Sequence, residues 1–361
     1  MATNRYSRRQ VLGTSAGIAG LLALGPQAIA QAAPRARSAV LRALAQEQIT
    51  LDVFVHLNHP FDRVKPLFEA KYPNITLNMM GNNDMAVFRA TLAAQGEGTP
   101  DIFWPEIDVV QELGKSGVLL DVTDIVTKHK DELASGKTQE CYIAATGKYA
   151  AFLGDIATVG IYYRQDLLDQ AGVTIPDEWT WDDYIDAAKE IKGKTGAASF
   201  NFPTTGDFWT AVLWGYFLFQ LGGAVTNADG TEVTLDDEKG IAAMEMVKKV
   251  YDADISIDEV PVDENFFAAI AAGQVAACPL PVWFRNFGIE PNVTDEQSGK
   301  GYWRVALLPS IAGGVSRTAN FGGAAIASTI YTKHPDEVKL FMEFALGSME
   351  GAAACGDWGI L

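Results

Sequence analysis

Lys148 to Gly172, KYAAFLGDIATVGIYYRQDLLDQAG, is the stretch from which the fold is read. Two β-rich runs, Tyr149–Leu153 and Thr158–Tyr163, flank the polar break Gly154-Asp155. A short helix follows and stops at Gly172, where glycine suits a left-handed cap. A polar break between two strands is a place for the chain to bend. Residues 154–157 are therefore expected to leave one lobe and enter another, with the Asp155 carboxylate at the floor of a cleft between them. A plain hairpin loop satisfies the same periodicity.

Upstream, Ile49–Leu57 alternates apolar and polar residues and reads as a first strand, followed by a helix over Phe61–Tyr72 and a second strand at Ile75–Met79. In such β-α-β openings ligands lie beyond the C-terminal ends of the strands. That places His56, Asn58 and His59 at the tip of strand one and Asn82 and Asn83 beyond strand two, making Asn58 and Asn82 candidate ligand contacts. Asp84 is expected to cap a helix over Met85–Gln95. No Cys or His cluster stands at ligand spacing, so no metal and no cofactor is expected. Thr99–Glu106 reads as a third short strand and its tip.

Downstream, Thr180 is placed to cap a helix over Tyr184–Lys192, with Asp182 and Asp183 at its positive end. Asn201–Gly223 holds the densest aromatic cluster, in which Phe208, Val212 and Tyr216 share a helical face and supply core. Asn227–Gly230 reads as a hairpin turn, because the spaced carboxylates of a calcium loop are missing.

These stretches resemble the bacterial extracellular solute-binding proteins of ABC transporters, the carbohydrate-binding family that includes maltodextrin-binding proteins. GKYAAFLGDIATVGIYYRQDLL with AGVTIPDEWTWDDYIDAAKEI is similar to the family block that spans the first interlobe crossing. Gly98–Ile102 fits the family's "G-x-x-PD-I/V". Val118–Val126 fits its "G-x-L-x-D-L-T-D" turn, and Gly273–Trp283 its strand ending in a tryptophan, with Pro281 where that pattern carries glycine. Trp303–Pro309 and Phe321–Ala327 match the pair that spans the second crossing, for which Gly322 and Gly323 supply backbone freedom. His334–Leu346 resembles the helix that follows.

The resemblance implies a site. Trp104 offers a flat face to the C–H groups of a pyranose, and the Glu106 carboxylate accepts two hydroxyl hydrogen bonds. The competing reading makes Trp104 core and Glu106 a helix cap. Trp209, near the start of its helix, and Trp283, at the end of its strand, are the other implied stacking faces, joined by Asp155 and Gly322. Family members continue beyond the point where this chain stops, so a truncated second lobe is also expected.

Composition sets the class. The 361 residues are 48% hydrophobic with a net charge of −17, enough for two cored domains and unsuited to nucleic acid or anionic lipid. Ser7-Arg8-Arg9-Gln10-Val11-Leu12, an apolar Val11–Gly25 and Ala28-Ile29-Ala30 together resemble a twin-arginine signal over residues 1–30. An uncleaved anchor is the alternative, and its apolar run falls short of the roughly 20 residues of a span. No cysteine lies near the cleavage site, so a lipoprotein anchor is not expected. Cys141, Cys278 and Cys355 are too scattered for a disulfide framework and are expected as buried small apolar residues.

The expectation is an α/β, two-lobed periplasmic-binding-protein-like fold. After a tether at 31–48, lobe 1 comprises 49–153 and 322–361 and lobe 2 comprises 158–308, with crossings at 154–157 and 309–321. Function follows as capture of a sugar or oligosaccharide by lobe closure, by an exported monomer that serves ABC permease subunits and performs no chemistry. A secreted glycoside hydrolase, or a binder of peptides or polyamines, is the alternative.

Overall fold

The computed structural model describes residues 48–55, 59–81, 85–94, 96, 98–202, 207–227 and 232–356. The signal, most of the tether, Asn58, Asn82 and Asp84 lie outside the described residues. Two compact units divide the chain. Unit 1 runs to Asp155 and resumes at Ala324; unit 2 is Ile156–Gly323.

Unit 1 opens as β1 (Ile49–Phe54), α1 (Phe61–Lys71) and β2 (Ile75–Met79), then α2 (Met85–Ala93), β3 (Ile102–Phe103) and α3 (Ile107–Lys115). The three strands form a parallel sheet in the order β2-β1-β3, with Leu51 opposite Leu77 and Val53 opposite both Met79 and Ile102. Alternation explains the register, since Leu51, Val53, Ile75 and Leu77 point inward and are buried. Shorter elements follow: α4 (Thr123–Lys128), α5 (Ser135–Glu140), the hairpin β4 (Tyr142–Ile143) with β5 (Lys148–Tyr149), and β6 (Phe152–Leu153).

Unit 2 is built on β7 (Thr158–Arg164), which leads into α6 (Gln165–Ala171); Gly172 closes that helix with φ 74°. Thr180 caps α7 (Trp181–Thr195) through a reciprocal capping box with Asp183. Then come β8 (Phe200–Asn201), α8 (Asp207–Gln220), α9 (Glu238–Asp252), β9 (Ser256–Ile257), α10 (Glu264–Ala271) and β10 (Ala277–Pro281). A single π-turn at Arg285–Ile289 precedes β11 (Trp303–Ala306) and β12 (Ala319–Asn320). β7 pairs antiparallel with β10, β11 and β12. Pro279 and Pro281 sit in β10 opposite Ile161 and Val159, and β10 ends the β10-β7-β11 order, the edge where a missing N–H is tolerated. One core cluster gathers Ile161, Trp181, Phe200, Phe217 and Val247; a second gathers Tyr162, Phe266, Ile270 and Phe284.

The chain returns to unit 1 as β13 (Ala325–Ile326), α11 (Pro335–Gly347) and α12 (Met349–Cys355). β13 pairs antiparallel with β6, and bridges from Phe103 to Ala327 and Glu106 to Ala324 attach the same segment to the β3 side. Phe341 and Phe344 of α11 pack on Phe68 of α1 with ring centroids 5.1 and 5.4 Å apart. Cys141, Cys278 and Cys355 are buried and unpaired, and burial raises all three thiols, Cys141 and Cys355 to about 12.

The second boundary differs from the expectation. Residues 309–321 belong to unit 2, and so do Gly322 and Gly323. Gln220, fully buried at the end of α8, explains why: its Nε2 donates to the carbonyls of Pro309 (2.9 Å) and Ser316 (3.3 Å). Its Oε1 accepts from Trp181 Nε1 at 2.9 Å, and its carbonyl accepts from Val315 N at 2.7 Å. Thr318 Oγ1 adds a bond to the Val159 carbonyl at 2.8 Å. A segment held by this many interior bonds is part of the unit, so the change of unit falls at Gly323–Ala324.

Candidate functional site

Three short segments meet in unit 1. Pro105–Glu106, Gly154–Asp155 and Ala324–Ala325 lie side by side, because the Ala324 carbonyl accepts from both Gly154 N (3.0 Å) and Asp155 N (3.1 Å), and Ala325 N donates to Pro105 O at 2.9 Å. The Asp155 carboxylate completes the junction by accepting from Ala324 N at 3.1 Å. Thus the sequence break at Gly154-Asp155 is filled by a side chain that replaces a missing ladder bond. Gly154 is required there: an added Cβ would stand 2.2 Å from Trp104 Cη2 and 2.8 Å from the Ala324 carbonyl.

Two carboxylates share this junction. Burial pushes Asp155 up to about 6, against the opposing pull of the Ala324 N–H and Lys137. Glu106 is pushed up to about 7, first by burial and then by the negative charges of Asp155 and Asp108. Glu106 nevertheless keeps solvent-exposed surface. Glu106 precedes α3 but makes no side-chain cap bond.

Trp104 is placed differently from the stacking role implied by its position. It is only 5% exposed and belongs to the unit 1 core, with edge contacts to His59 (4.7 Å) and Phe61 (5.4 Å). Packing against those rings and against Gly154 leaves no open face for a sugar. Its role is to support the Gly154-Asp155 backbone from beneath.

In unit 2, Trp209 and Trp283 come together through Phe321. Trp209 is on the first turn of α8 and meets Phe321 edge-on at 5.6 Å; Trp283 follows β10, lies 5.9 Å from Phe321 and donates Nε1–H to its carbonyl at 3.1 Å. Tyr216 joins at 6.2 Å. With Asn201 and Pro281 these rings line a depression whose free volume is about 10 Å³, the room of about one water molecule. Trp209 and Trp283 are both half-buried. Phe321 is the residue that sequence reasoning missed as a site member. Its signal was an aromatic directly before Gly322 and Gly323, whose φ values of 89° and 114° turn the chain at the unit boundary. Gly322 itself is exposed, and its carbonyl accepts from Asn320 Nδ2 at 2.8 Å.

Among the described residues no group of three or more His, Cys, Asp or Glu is arranged to hold a metal ion, and no helix is long and apolar enough to cross a membrane.

Residues 39–352 match the family model of the bacterial extracellular solute-binding proteins. An arabinooligosaccharide-binding protein of Halalkalibacterium halodurans is 26% identical over 81% of this chain and 63% of its own length, and one of Bacillus subtilis is 25% identical over 71% and 58%. The chain therefore spans about six-tenths of the length of these relatives. The GacH receptor of Streptomyces glaucescens, solved unliganded and with acarbose, superposes with a TM-score of 0.70 at 21% identity, covering 88% of this chain and 80% of that one. A binding protein of Bifidobacterium animalis subsp. lactis in complex with β-1,6-galactobiose gives 0.69 at 22% identity, covering 86% and 75%. These structures share its α/β fold of two units, and the match over residues 39–352 places the chain among the bacterial extracellular solute-binding proteins, the family to which it belongs.

Proposed function

We propose that the chain is the extracytoplasmic binding component of an ABC importer and captures a neutral sugar or oligosaccharide. The observation that carries this reading is the cluster of Trp209, Trp283 and Phe321, brought from three separate segments of unit 2 to one depression. Aromatic faces suit the C–H faces of sugars, and carboxylates such as Asp155 and Glu106 suit their hydroxyls. Each relative named above is described as binding a sugar-like ligand: arabinooligosaccharides, acarbose or galactobiose.

The aromatic depression is nearly filled by its own rings, so a sugar binds there only as those rings turn aside or lies across their outer faces. Sugar binding that favours one arrangement of the two units shifts their population, and the permease subunits read the shifted form. Glu106 and Asp155 each accept hydrogen bonds from hydroxyls when ionised. Export through a twin-arginine signal at Arg8 and Arg9, without a lipid anchor, and a monomeric state complete the proposal.

A secreted hydrolase remains the alternative to test, although Glu106 and Asp155 both carry raised pKa values at this junction, whereas hydrolysis needs one of the pair protonated and the other ionised. A thermal-shift screen of sugars, peptides and polyamines, followed by analysis of the recovered ligand, decides among the readings. Stabilisation by an oligosaccharide that is recovered intact supports capture. Shortened products support the hydrolase, and stabilisation by a peptide or polyamine alone removes the sugar reading.

A further inference from the structure

The aromatic depression of unit 2 is the middle of a longer line of rings. Phe208, Trp209, Phe321, Trp283 and Phe287 follow one another with centroids 5.2, 5.6, 5.9 and 6.0 Å apart, in the tilted and edge-on geometry that aromatic pairs prefer. Among the described residues Phe208 meets no ring beyond Trp209 and Phe321. Phe287 meets none beyond Trp283, Phe284 and Phe267. The rings therefore extend as a row instead of closing into a ball.

Local structure sets both ends of the row. Phe287 lies on the π-turn Arg285–Ile289, and its N–H donates to the Trp283 carbonyl at 3.2 Å, a helical step that brings the two rings to one side. Phe284, between them in sequence, is fully buried and anchors the turn. Such π-turns are uncommon and gather at functional sites. At the other end Phe208 opens α8 beside Trp209. Its helical spacing with Val212 and Tyr216 suggests core, yet Phe208 is 62% exposed while Tyr216 is buried, so that stripe leaves the core at its N-terminal end. Phe287 is 45% exposed. Large rings left in water at both ends of a half-buried row form the kind of apolar surface that marks a binding groove.

Volume decides between a single sugar and a chain. Sites that enclose a small molecule offer roughly 300–1,000 Å³. The depression among Trp209, Trp283 and Phe321 has about 10 Å³ free, so it encloses no sugar ring. A ligand lying across the outer faces of the row gains its contacts ring by ring, and its affinity accumulates with its length. The centroid steps of 5.2 to 6.0 Å are close to the advance of one unit along an extended sugar chain.

Resting on the sugar reading above, we propose that the row selects a linear oligosaccharide of three or more units, with Trp209, Phe321 and Trp283 under its central units and Phe208 and Phe287 under the units at its two ends. Phe208 and Phe287 are thereby the residues that set the preferred chain length. A monosaccharide or disaccharide reaches only the central rings and binds more weakly.

Calorimetric titration of the protein with linear glucan, galactan and arabinan oligomers of one to six units tests the assignment. In the series that binds, affinity is expected to rise about tenfold or more between two and four units. Phe208→Ala and Phe287→Ala should each weaken the four-unit oligomer about threefold to tenfold and leave the two-unit oligomer within about twofold. Phe208→Ala should keep the wild-type melting temperature, because most of its ring is in water. Equal affinity for two and four units, equal losses at both lengths in the variants, or full four-unit affinity in both variants would each overturn the proposal. If Trp283→Ala still weakens every length in such a case, the sugar reading survives without it. Saturable binding of no oligomer would overturn both. Should Phe287→Ala lose its cooperative melting transition, Phe208→Ala and the wild-type length series decide.

Discussion

The backbone N–H of Ala324 donates to the carboxylate of Asp155 at 3.1 Å, joining the last residue before the chain leaves unit 1 to the first after it returns. The two residues are far apart in sequence, yet each closes the ladder of the other. Asp155 is therefore both a structural tie and one of the two raised carboxylates at the junction, and changes there are expected to register in stability as well as in ligand binding.

Gly154→Ala tests the packing beneath that tie. The new Cβ would meet the Trp104 ring and the Ala324 carbonyl inside contact distance. The expected loss is on the order of 1–3 kcal/mol, the cost of overpacking. Trp104→Ala should cost more, about 3–5 kcal/mol, as a buried aromatic removed from a core. Urea denaturation checks both. A Trp104→Ala protein of wild-type stability that lost only ligand affinity would return Trp104 to the site.

Glu106 makes a pH prediction. Its folded-state value, about 7, lies above its ordinary 4.5, so the folded chain holds the proton more tightly than the unfolded one. The contribution favours folding below the ordinary value and is lost as pH rises toward 7. Wild-type melting temperature is expected to fall between pH 4.5 and 7.5 more steeply than that of Glu106→Gln. Parallel profiles would show that Glu106 is not desolvated in solution.

His129 gives a second pH dependence of different origin. Its Nδ1 lies 2.7 Å from Glu132 Oε2 and its Nε2 2.9 Å from Glu343 Oε1 on α11. Burial opposes the charged ring, but the two carboxylates outweigh it and raise the pKa. The stabilisation is complete below the ordinary value near 6.5 and disappears as pH rises through the raised one. Glu343, itself lowered despite burial through Lys128 and His129, loses its contribution in the opposite direction, as pH falls through its depressed value. His129→Gln should flatten the melting profile above pH 6.5, read by calorimetry; an unchanged slope would contradict the pairing.

Export is tested by changing Arg8 and Arg9 together to lysine. Retention of the full-length precursor in the cytoplasm, seen by fractionation, is the expected result. Unaltered export would remove the twin-arginine reading.

Much of the local structure was legible because period and punctuation agree. The β1-α1-β2 opening, the capped α7 and the Gly172 stop each follow from residues close in sequence. For Trp104 the stacking and core readings both stood open, because stacking platforms and core tryptophans carry the same sequence signal. His59 and Phe61, which cover it, come from a segment some forty residues upstream in the chain. The extent of unit 2 was hidden for a similar reason. Gln220 reads as a polar helix end, and only the fold reveals that it anchors Pro309 and Ser316. Trp209 and Trp283 were singled out separately, whereas Phe321, which joins them, was read only as part of a crossing.

The central claim is that the unit 2 aromatics hold a sugar. Its most direct test is calorimetric titration of the oligosaccharide identified by the thermal-shift screen into wild type, Trp209→Ala and Trp283→Ala. Each variant is expected to bind more weakly by about 1–3 kcal/mol, the scale of a lost large apolar contact, while keeping a cooperative melting transition. Full affinity in both folded variants would contradict the account.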